Sequence, residues 1–408
     1  MERPKETAVA SQRETLLTRP VILLALIAFA TLFGFQLLLS VVPLYTDGAG
    51  GGSLGAGLAT AAFMLSTVVA QVQMPQVLDR FGYRAVLAVG LLFLGLPAFF
   101  YAATQTLASI QAVTLLRGVG FGIATVVFAA LMVELAPPGR RGEALGLLGV
   151  AIALPAIFCT ALGLWLVERF GYGTAFLLGA VAPLLGIAAI FGIRTVPTPG
   201  RERVERTAGF FAGLRRGPLL RVFLVFAATT TAGGIIVTFL PLAVTQGSGL
   251  FSAAGALLVV GITSATSRWW AGRFGDRRDA RLLLSPGLLA AAFGMSVLPS
   301  GGTFLVGGAA LFGIGFGLLQ NVTLVLIMER VSESEYGLGS TLWNVAFDAG
   351  TGLGAFVFGF VIAAFGYSWA FYLCAVLVSS ALVLVLLDRP APVAASSSTK
   401  DGRYNEPS

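Results

Sequence analysis

Two ionisable side chains interrupt long apolar stretches of this sequence. Arg117 lies within the stretch 108–133 and Asp348 within 337–364. Burying a charged side chain in a bilayer costs about 2.5 kcal/mol or more, so a charge at that depth indicates a functional site. At a rise of 1.5 Å per helical residue, both side chains fall near the middle of a roughly 30 Å apolar layer. A carboxyl group there can exchange a proton, and we therefore predict that Asp348 is a proton carrier.

The same two residues also fit a structural role, and the sequence leaves both readings open. Arg117 and Asp348 could form a static ion pair, or neighbours such as Asn344 and Thr351 could hold the carboxylate. Neutral polar residues in other apolar stretches are further candidates for the wall of a cavity that binds substrate. They are Gln36, Gln320, Asn321 and Asn344.

The rest of the expected cavity wall is apolar and aromatic, since the chain contains 31 Phe. A sugar would need many more hydrogen-bonding groups. These side chains suit an amphipathic or hydrophobic organic molecule better.

The composition excludes several classes of protein. Hydrophobic residues make up 57% of the chain and charged residues 11%, against about 25% charged in soluble domains. This indicates a polytopic membrane protein whose main partner is the lipid bilayer. With no His and only two Cys, His-ligated metals and Ser-His or Cys-His catalysis are excluded. We find no phosphate-binding loop motif either. The sequence therefore predicts no enzyme activity, metal or cofactor.

Apolar stretches of spanning length occur twelve times, about 20 residues each being enough for one crossing. They predict an all-α membrane protein of twelve transmembrane helices in two pseudo-symmetric six-helix halves. The expected organisation is a cytoplasmic tail (1–19), an N-terminal half (20–193), a basic cytoplasmic linker (194–218), a C-terminal half (219–388) and a disordered cytoplasmic tail (389–408).

The positive charges set the expected orientation. Apart from Arg117 and Arg169, the Lys and Arg residues lie in the tails, the even-numbered loops or at helix ends on one side. By the positive-inside rule that side is cytoplasmic. The net charge of +7 thus reports topology and not a nucleic-acid partner. We expect both termini in the cytoplasm of a cell whose plasma membrane holds this multi-pass chain.

The two halves are related by an internal duplication. At a shift of 195 positions, residues 118–176 match 313–371 with 16 identities in 59 positions. Gly118 and Gly313 correspond in this register, and the identities are concentrated in Gly, Phe and Tyr. Internal repeats of this kind are typical of secondary transporters.

A short polar motif recurs at tight turns after the second and eighth helices. An acid and a basic cluster occur in both copies, and they comprise Asp79, Arg80, Gly82 and Arg84 in the first, and Gly272, Asp276 and Arg277 in the second. Gly272 lies four residues before its acid, where the first copy has Pro75. Together with the duplication and the helix number, these turns resemble the loop signature of the major facilitator superfamily, over residues 20–388.

That resemblance implies how the parts would work. In the family the acid caps a helix end of the other half, where the helix dipole favours an anion, so Asp79 and Asp276 would latch the cytoplasmic face shut. Helices one, four, seven and ten line a central cavity, which places Arg117 in the cavity. Helices two and eleven meet where the halves join, which places Asp348 at the cavity edge or at that seam.

Two further family signatures are altered. Arg117 lies one helical turn later than the arginine of the fourth-helix motif of proton-coupled members, and residues 159–163 (Cys-Thr-Ala-Leu-Gly) replace a Gly-Pro-x-x-Gly motif. General resemblance still implies a secondary active transporter, proton-coupled and exporting a small organic molecule, working as a monomer. The alternative is uptake of an organic acid or other metabolite, with Arg117 binding its carboxylate. A receptor would not need acid-bearing latches in both halves.

Overall fold

The computed structural model describes residues 17–103, 106–137, 140–193, 210–244, 247–332 and 335–388. Most of the predicted tails and linker lie outside these ranges. The described residues form twelve long helices, and we label them α1 to α12 in chain order. Their bounds are Arg19–Leu39, Gly52–Phe81, Tyr83–Gly95, Leu107–Leu135, Arg141–Phe170, Tyr172–Ile190, Gly217–Ala243, Ala253–Gly275, Leu284–Val297, Gly302–Glu329, Tyr336–Phe365 and Tyr367–Leu387.

Short helical segments extend three of these helices. Val41–Thr46 prolongs α1, the 3-10 segment Leu96–Ala103 prolongs α3, and 3-10 turns at Ala280–Leu283 and Leu298–Ser300 flank α9. A further short helix, Phe210–Leu214, precedes α7. No strand occurs within the described ranges, so the predicted all-α class is confirmed.

Ten stretches of the described chain are long and apolar enough to span a membrane. The first of these, Arg19–Met74, holds both α1 and most of α2. The chain reverses between them at Gly50 and Gly52, whose φ angles of 90° and 56° favour glycine. α8 is more polar, but its 23 residues extend about 34 Å, enough to cross. The predicted twelve helices are thus present.

Equivalent glycines make equivalent helix contacts in the two halves. A Cβ on Gly118 of α4 would lie 2.3 Å from the carbonyl oxygen of Phe63 on α2. A Cβ on Gly313 of α10 would lie 2.7 Å from that of Val260 on α8. Any larger residue would push these helices apart. The duplication seen in the sequence is therefore also a duplication of helix packing.

The two halves meet along a seam, and the described hydrogen bonds across it are concentrated at one side of the membrane. Because the number of helices is even, both ends of the described chain lie on one side, here called the terminal side, and the opposite side is the far side. Among the described residues, four side-chain hydrogen bonds cross the seam, and three lie on the far side. These three join Ser40 Oγ to the Val237 carbonyl at 2.6 Å, Ser53 Oγ to the Gly359 carbonyl at 3.2 Å, and the Thr60 and Thr238 hydroxyls at 2.9 Å.

Candidate functional site

The fourth hydrogen bond across the seam involves Asp348, the predicted proton carrier. Asp348 lies within three residues of the middle of α11, and it is only 5% exposed. Gln71 of α2 donates from Nε2 to Asp348 Oδ2 at 2.9 Å. The same nitrogen donates to Thr125 Oγ1 of α4 at 3.3 Å. One amide from the N-terminal half therefore holds the buried carboxyl group of the C-terminal half.

The side-chain amide of Gln71 also has an oxygen, Oε1, that can accept a hydrogen bond next to Asp348. Its Oε1 is buried, and no hydrogen-bond partner is present for it among the described atoms. The carboxyl group of Asp348 can accept from an amide N–H when ionised, and it can donate to an amide oxygen when protonated. The pair can therefore hold either protonation state of Asp348.

Arg117 lies deep within the N-terminal half. It is 2% exposed, and its Nε donates to the Leu94 carbonyl oxygen at 3.1 Å. The guanidinium carbon lies 5.8 Å from the ring centre of Phe63 and 5.6 Å from that of Tyr101, within the range of cation–π attraction. Nη2 is buried and makes no hydrogen bond to the described residues. The adjoining cavity of about 20 Å³ has room for about one water molecule.

Arg117 and Asp348 do not pair in this structure. Their contacts on α2, Phe63 and Gln71, are eight residues apart, or about 12 Å along the helix. Asn344 and Thr351 do not hold the carboxylate either. Asn344 donates to the Ser340 carbonyl at 2.9 Å, and Thr351 to the Phe347 carbonyl at 2.8 Å. The partner of Asp348 is Gln71, which the sequence analysis did not select.

The remaining polar candidates lie in two places. Gln36 of α1 accepts from Thr160 Oγ1 of α5 at 3.4 Å, within the N-terminal half. Gln320 of α10 accepts from Arg268 Nη1 of α8 at 3.3 Å. Asn321 lies beside α8 as well, since its Nδ2 would be 3.5 Å from a Cβ on Gly272.

Arg268 is a second functional candidate that sequence reasoning missed. The apolar stretch 251–271 predicts an eighth helix with this arginine near its end, whereas α8 continues to Gly275. Its signal was available in the sequence, because the charges of the turn begin only at Arg273, five residues after Arg268. Gln71 had a weaker signal, an amide in a helix that was expected to meet the eleventh.

The two turn motifs lie on the terminal side. Gly82 ends α2 with a φ of 74°, Arg84 Nη2 donates to the Ile190 carbonyl at 3.5 Å, and Arg80 stacks on Phe81 at 5.2 Å. The side chain of Asp79 lies outside the described part of the structure. In the second motif, the backbone N–H groups of Asp276 and Arg277 bond back into the last turn of α8. Within the described residues, no hydrogen bond or ion pair joins these turns to the opposite half, and the latch stays a prediction.

Two sets of charged pairs on the terminal side join helix ends within the C-terminal half. Arg216, just before α7, contacts Glu335, just before α11, at 2.6 Å. This ion pair, with the backbone N–H of Ser332, lowers the pKa of Glu335 to about 2. Asp388, which follows α12, pairs with Arg330 at the end of α10 and with Arg221 of α7. These pairs join the ends of helices that already belong together.

Comparison with known proteins gives matches over most of the chain. A family model for the Major Facilitator Superfamily matches residues 24–303 and 270–405. An uncharacterized MFS-type transporter of Methanocaldococcus jannaschii is 22% identical over 357 residues, covering 85% of this chain and 92% of that protein.

Two further relatives are matched over less than two thirds of their length. The 3-(3-hydroxy-phenyl)propionate transporter of Escherichia coli is 25% identical over 58% of this chain and 61% of that protein. The quinolone resistance protein NorA of Staphylococcus aureus is 22% identical over 43% and 46%. Among solved structures, a POT family transporter bound to a thioalcohol conjugated peptide has a TM-score of 0.75, at 11% identity over 90% of this chain and 96% of that one. That likeness shows a shared fold.

Proposed function

We propose a function for this chain, which belongs to the Major Facilitator Superfamily: it exports a small organic molecule in exchange for protons, and Asp348 carries those protons. The observation that carries the proposal is the hydrogen bond between Gln71 and Asp348. Among the described hydrogen bonds between the halves it lies deepest toward the terminal side, and its strength depends on a proton.

The position of this bond supports a role in alternating access. Along α2, the cross-seam contacts run from Ser53 through Thr60 to Gln71. From Ser53 to Gln71 they extend about 27 Å along the helix. Beyond Gln71 the halves have no described hydrogen bond in common. A change in the protonation state of Asp348 therefore acts on the last described hydrogen bond between the halves, counted from the far side.

The proton would act by exchanging the hydrogen bond. Ionised Asp348 accepts from Gln71 Nε2, and a buried carboxylate is costly in a membrane. Protonated Asp348 can donate to Gln71 Oε1 once the amide turns by half a rotation. The two forms bias the seam differently, and a ligand can shift a two-state equilibrium only through such a difference.

The basic residues favour a cytoplasmic terminal side, so the far-side hydrogen bonds between the halves would close the protein toward the outside of the cell. We place the protein in the plasma membrane, acting as a monomer. Export is supported by the likeness to NorA, a quinolone resistance protein. Asp79 and Asp276 would then latch the cytoplasmic side in the opposite state.

Uptake of an organic acid is the second candidate. It is favoured by Arg117, whose Nη2 is buried without a described partner beside aromatic rings. The likeness to a 3-(3-hydroxy-phenyl)propionate transporter points the same way. In this alternative Arg117 would bind the carboxylate of the incoming acid.

The test compares wild type with Asp348→Asn in proteoliposomes that contain a pH-sensitive dye. We expect tetraphenylphosphonium or 3-phenylpropionate gradients to drive proton flux in wild type, and flux at least tenfold lower in the variant. Asp279→Asn is the matched control, because Asp279 is an exposed carboxylate whose one hydrogen bond among the described residues comes from the backbone N–H of Arg281.

The outcomes separate the parts of the proposal. Full coupling in Asp348→Asn would show that Asp348 is structural, and proton carriage through it would be wrong. The sign of the flux decides direction: proton entry during substrate exit supports export, and proton and substrate entering together support uptake. A loss of flux in Asp279→Asn as well would point to general damage.

A further inference from the structure

The Arg268 side chain lies well inside a membrane-spanning helix of the C-terminal half. The middle of α8 is Ser264, so Arg268 is four residues, or about 6 Å, to the terminal side of the middle. Seven residues of helix still separate it from the end at Gly275. It therefore differs from the exposed arginines of the following turn, which lie at the helix end.

No carboxylate neutralises this cation among the described residues. Its contacts are Gln320 Oε1, which accepts from Nη1 at 3.3 Å, and the ring of Trp343, centred 5.9 Å from the guanidinium carbon. Both partners are neutral. An arginine without a counter-ion at this depth is costly, so it indicates a site that binds an anion.

An aromatic surface adjoins the guanidinium group. Trp343 of α11 stacks on Phe347 with ring centres 6.0 Å apart, and Phe347 lies 6.4 Å from Phe316 of α10. These three rings are partly exposed. Behind them, fully buried Phe226 of α7 stacks on Trp343 at 4.8 Å. Trp343 is also fixed by its indole N–H, which donates to Thr323 Oγ1 at 3.3 Å.

Arg268 and the aromatic rings lie between helices α8, α10 and α11, next to the seam between the halves. Arg268 comes from α8 and Trp343 from α11, and both contact α10 through Gln320 and Thr323. The guanidinium therefore crosses the face of α10 to reach the α11 ring. Phe347 is the residue directly before Asp348, whose carboxyl group contacts the other half. The surface thus borders the seam.

We propose that Arg268, Gln320 and the rings of Trp343, Phe347 and Phe316, here called the Arg268 site, bind the transported molecule, and that this molecule is an aromatic organic anion. A carboxylate can take a charge-assisted hydrogen bond from the guanidinium, while its ring stacks on the aromatic surface. This inference rests on the proposed function, since it assumes that the chain transports small organic molecules.

Arg117 is less suited to be the first contact of such an anion. It is 2% exposed, and the cavity beside it has a volume of about 20 Å³, too small for an aromatic ring. Arg268 and its rings are partly exposed, and Arg268 lies on the terminal side of the middle of α8. A molecule that enters from that side meets the Arg268 site before it could reach Arg117.

The test measures binding to the purified full chain in detergent, with 3-phenylpropionate and its neutral amide as probes. We expect wild type to bind the anion at least tenfold more tightly than the amide, by calorimetry or saturation-transfer NMR. Arg268→Gln should weaken anion binding about ten- to hundredfold, as expected for hydrogen bonds to a charged group, and leave the amide unchanged. Arg268→Lys should retain part of the preference for the anion, because lysine keeps the positive charge but lacks the paired N–H donors of the guanidinium.

Arg273→Gln is the matched control, since Arg273 lies on the same helix but is exposed and stacks on Trp269 at 4.1 Å. The proposal is overturned if Arg268→Gln keeps the preference for the anion, if Arg117→Gln removes it instead, or if wild type shows none. Unchanged melting temperatures exclude a folding defect, and the lysine variant serves where the glutamine variant does not fold. Binding needs no proton gradient. A protein that binds the anion through Arg268 without proton flux would contradict only the proposed coupling, whereas coupled flux of a cation alone would contradict only this site.

Discussion

The far side and the terminal side of the seam are held by different kinds of interaction. On the far side, small residues bring the halves together, and Ser40, Ser53 and Thr60 donate or share hydrogen bonds across the seam. On the terminal side, the described ion pairs of Arg216 and Asp388 stay within the C-terminal half. Contacts between halves therefore depend on close approach, and charges stabilise each half by itself.

This difference shows how one chain can be rigid within its halves and mobile between them. Hydroxyl-to-carbonyl bonds across a close approach are individually modest, about 0.5–1.5 kcal/mol each, so they can be exchanged during a transport cycle. Ion pairs within one half need not break when the halves move relative to each other. Variants that disrupt the far-side packing should therefore impair transport, whereas variants that remove a terminal-side ion pair should lower stability only.

The largest effect is expected from Gly57→Val on the far side. A Cβ on Gly57 of α2 would lie 2.3 Å from the carbonyl oxygen of Ala355 on α11, and backbone cannot yield by the required amount. Since that contact crosses the seam, the far side could not close, and we expect substrate transport to fall more than tenfold. Proteoliposome transport measures the loss.

Gly146→Val is the matched control, because a Cβ there meets no atom within 4 Å. Ser53→Cys in the Gly57→Val background tests the cause, since Ser53 lies at the far side and an open seam should speed its labelling by a maleimide. The native Cys159 and Cys374 are both buried and should contribute little labelling. Normal transport in Gly57→Val would show that the far side does not need this close approach.

The second effect concerns stability alone. Asp388 is 7% exposed, and its main partner Arg330 is 11% exposed, so Asp388→Asn leaves Arg330 without its anion in a largely buried place. Breaking such a pair costs about 3 kcal/mol. We expect a lower melting temperature in detergent but unchanged substrate affinity and access.

Glu143→Gln provides the control for a surface pair, since Arg140 and Glu143 are 35% and 56% exposed. Exposed pairs are screened by water and contribute little to stability, so its melting temperature should hardly change. If Asp388→Asn changed the labelling of Ser53→Cys instead of the melting temperature, the ion pair would belong to the gate and the distinction between the two sides would be wrong.

The sequence could predict the elements but not their partners. Apolar stretches define the helices, because each must bury about 20 residues in lipid, and the repeat defines the halves. Asp348 was recognised from its apolar surroundings, and placing it at the cavity edge or the seam came from the family resemblance. Its partner Gln71 was not recognised, because a one-dimensional pattern contains no distance between helices.

The far-side contacts and Arg268 were missed for other physical reasons. Ser53 and Thr60 are typical of any transmembrane helix, where such hydroxyls often bond to their own helix, so nothing in the sequence marks those that cross a seam. Arg268 was missed because the predicted helix ends at residue 271, four residues before the observed end at Gly275, which leaves a membrane-depth cation near a helix end. Small errors of boundary matter most where one charge decides the chemistry.

The smallest effect is a pH dependence at the Arg216–Glu335 pair, which sharpens the view that terminal-side charges stabilise one half. Contact with Arg216 lowers the pKa of Glu335 to about 2, from its usual 4.5. Because the folded-state pKa of Glu335 is depressed, the stabilisation is present above the usual pKa and is lost as the pH falls toward 2.

The melting temperature of wild type should therefore exceed that of Glu335→Gln by a constant amount from pH 7 to about 5. This difference should shrink as the pH falls from about 5 to 2 and vanish below pH 2. Arg216→Gln should remove most of this pH dependence, since it removes the main cause of the shift, whereas a difference that stays constant down to pH 2 would mean that Glu335 acts through its shape and not its charge.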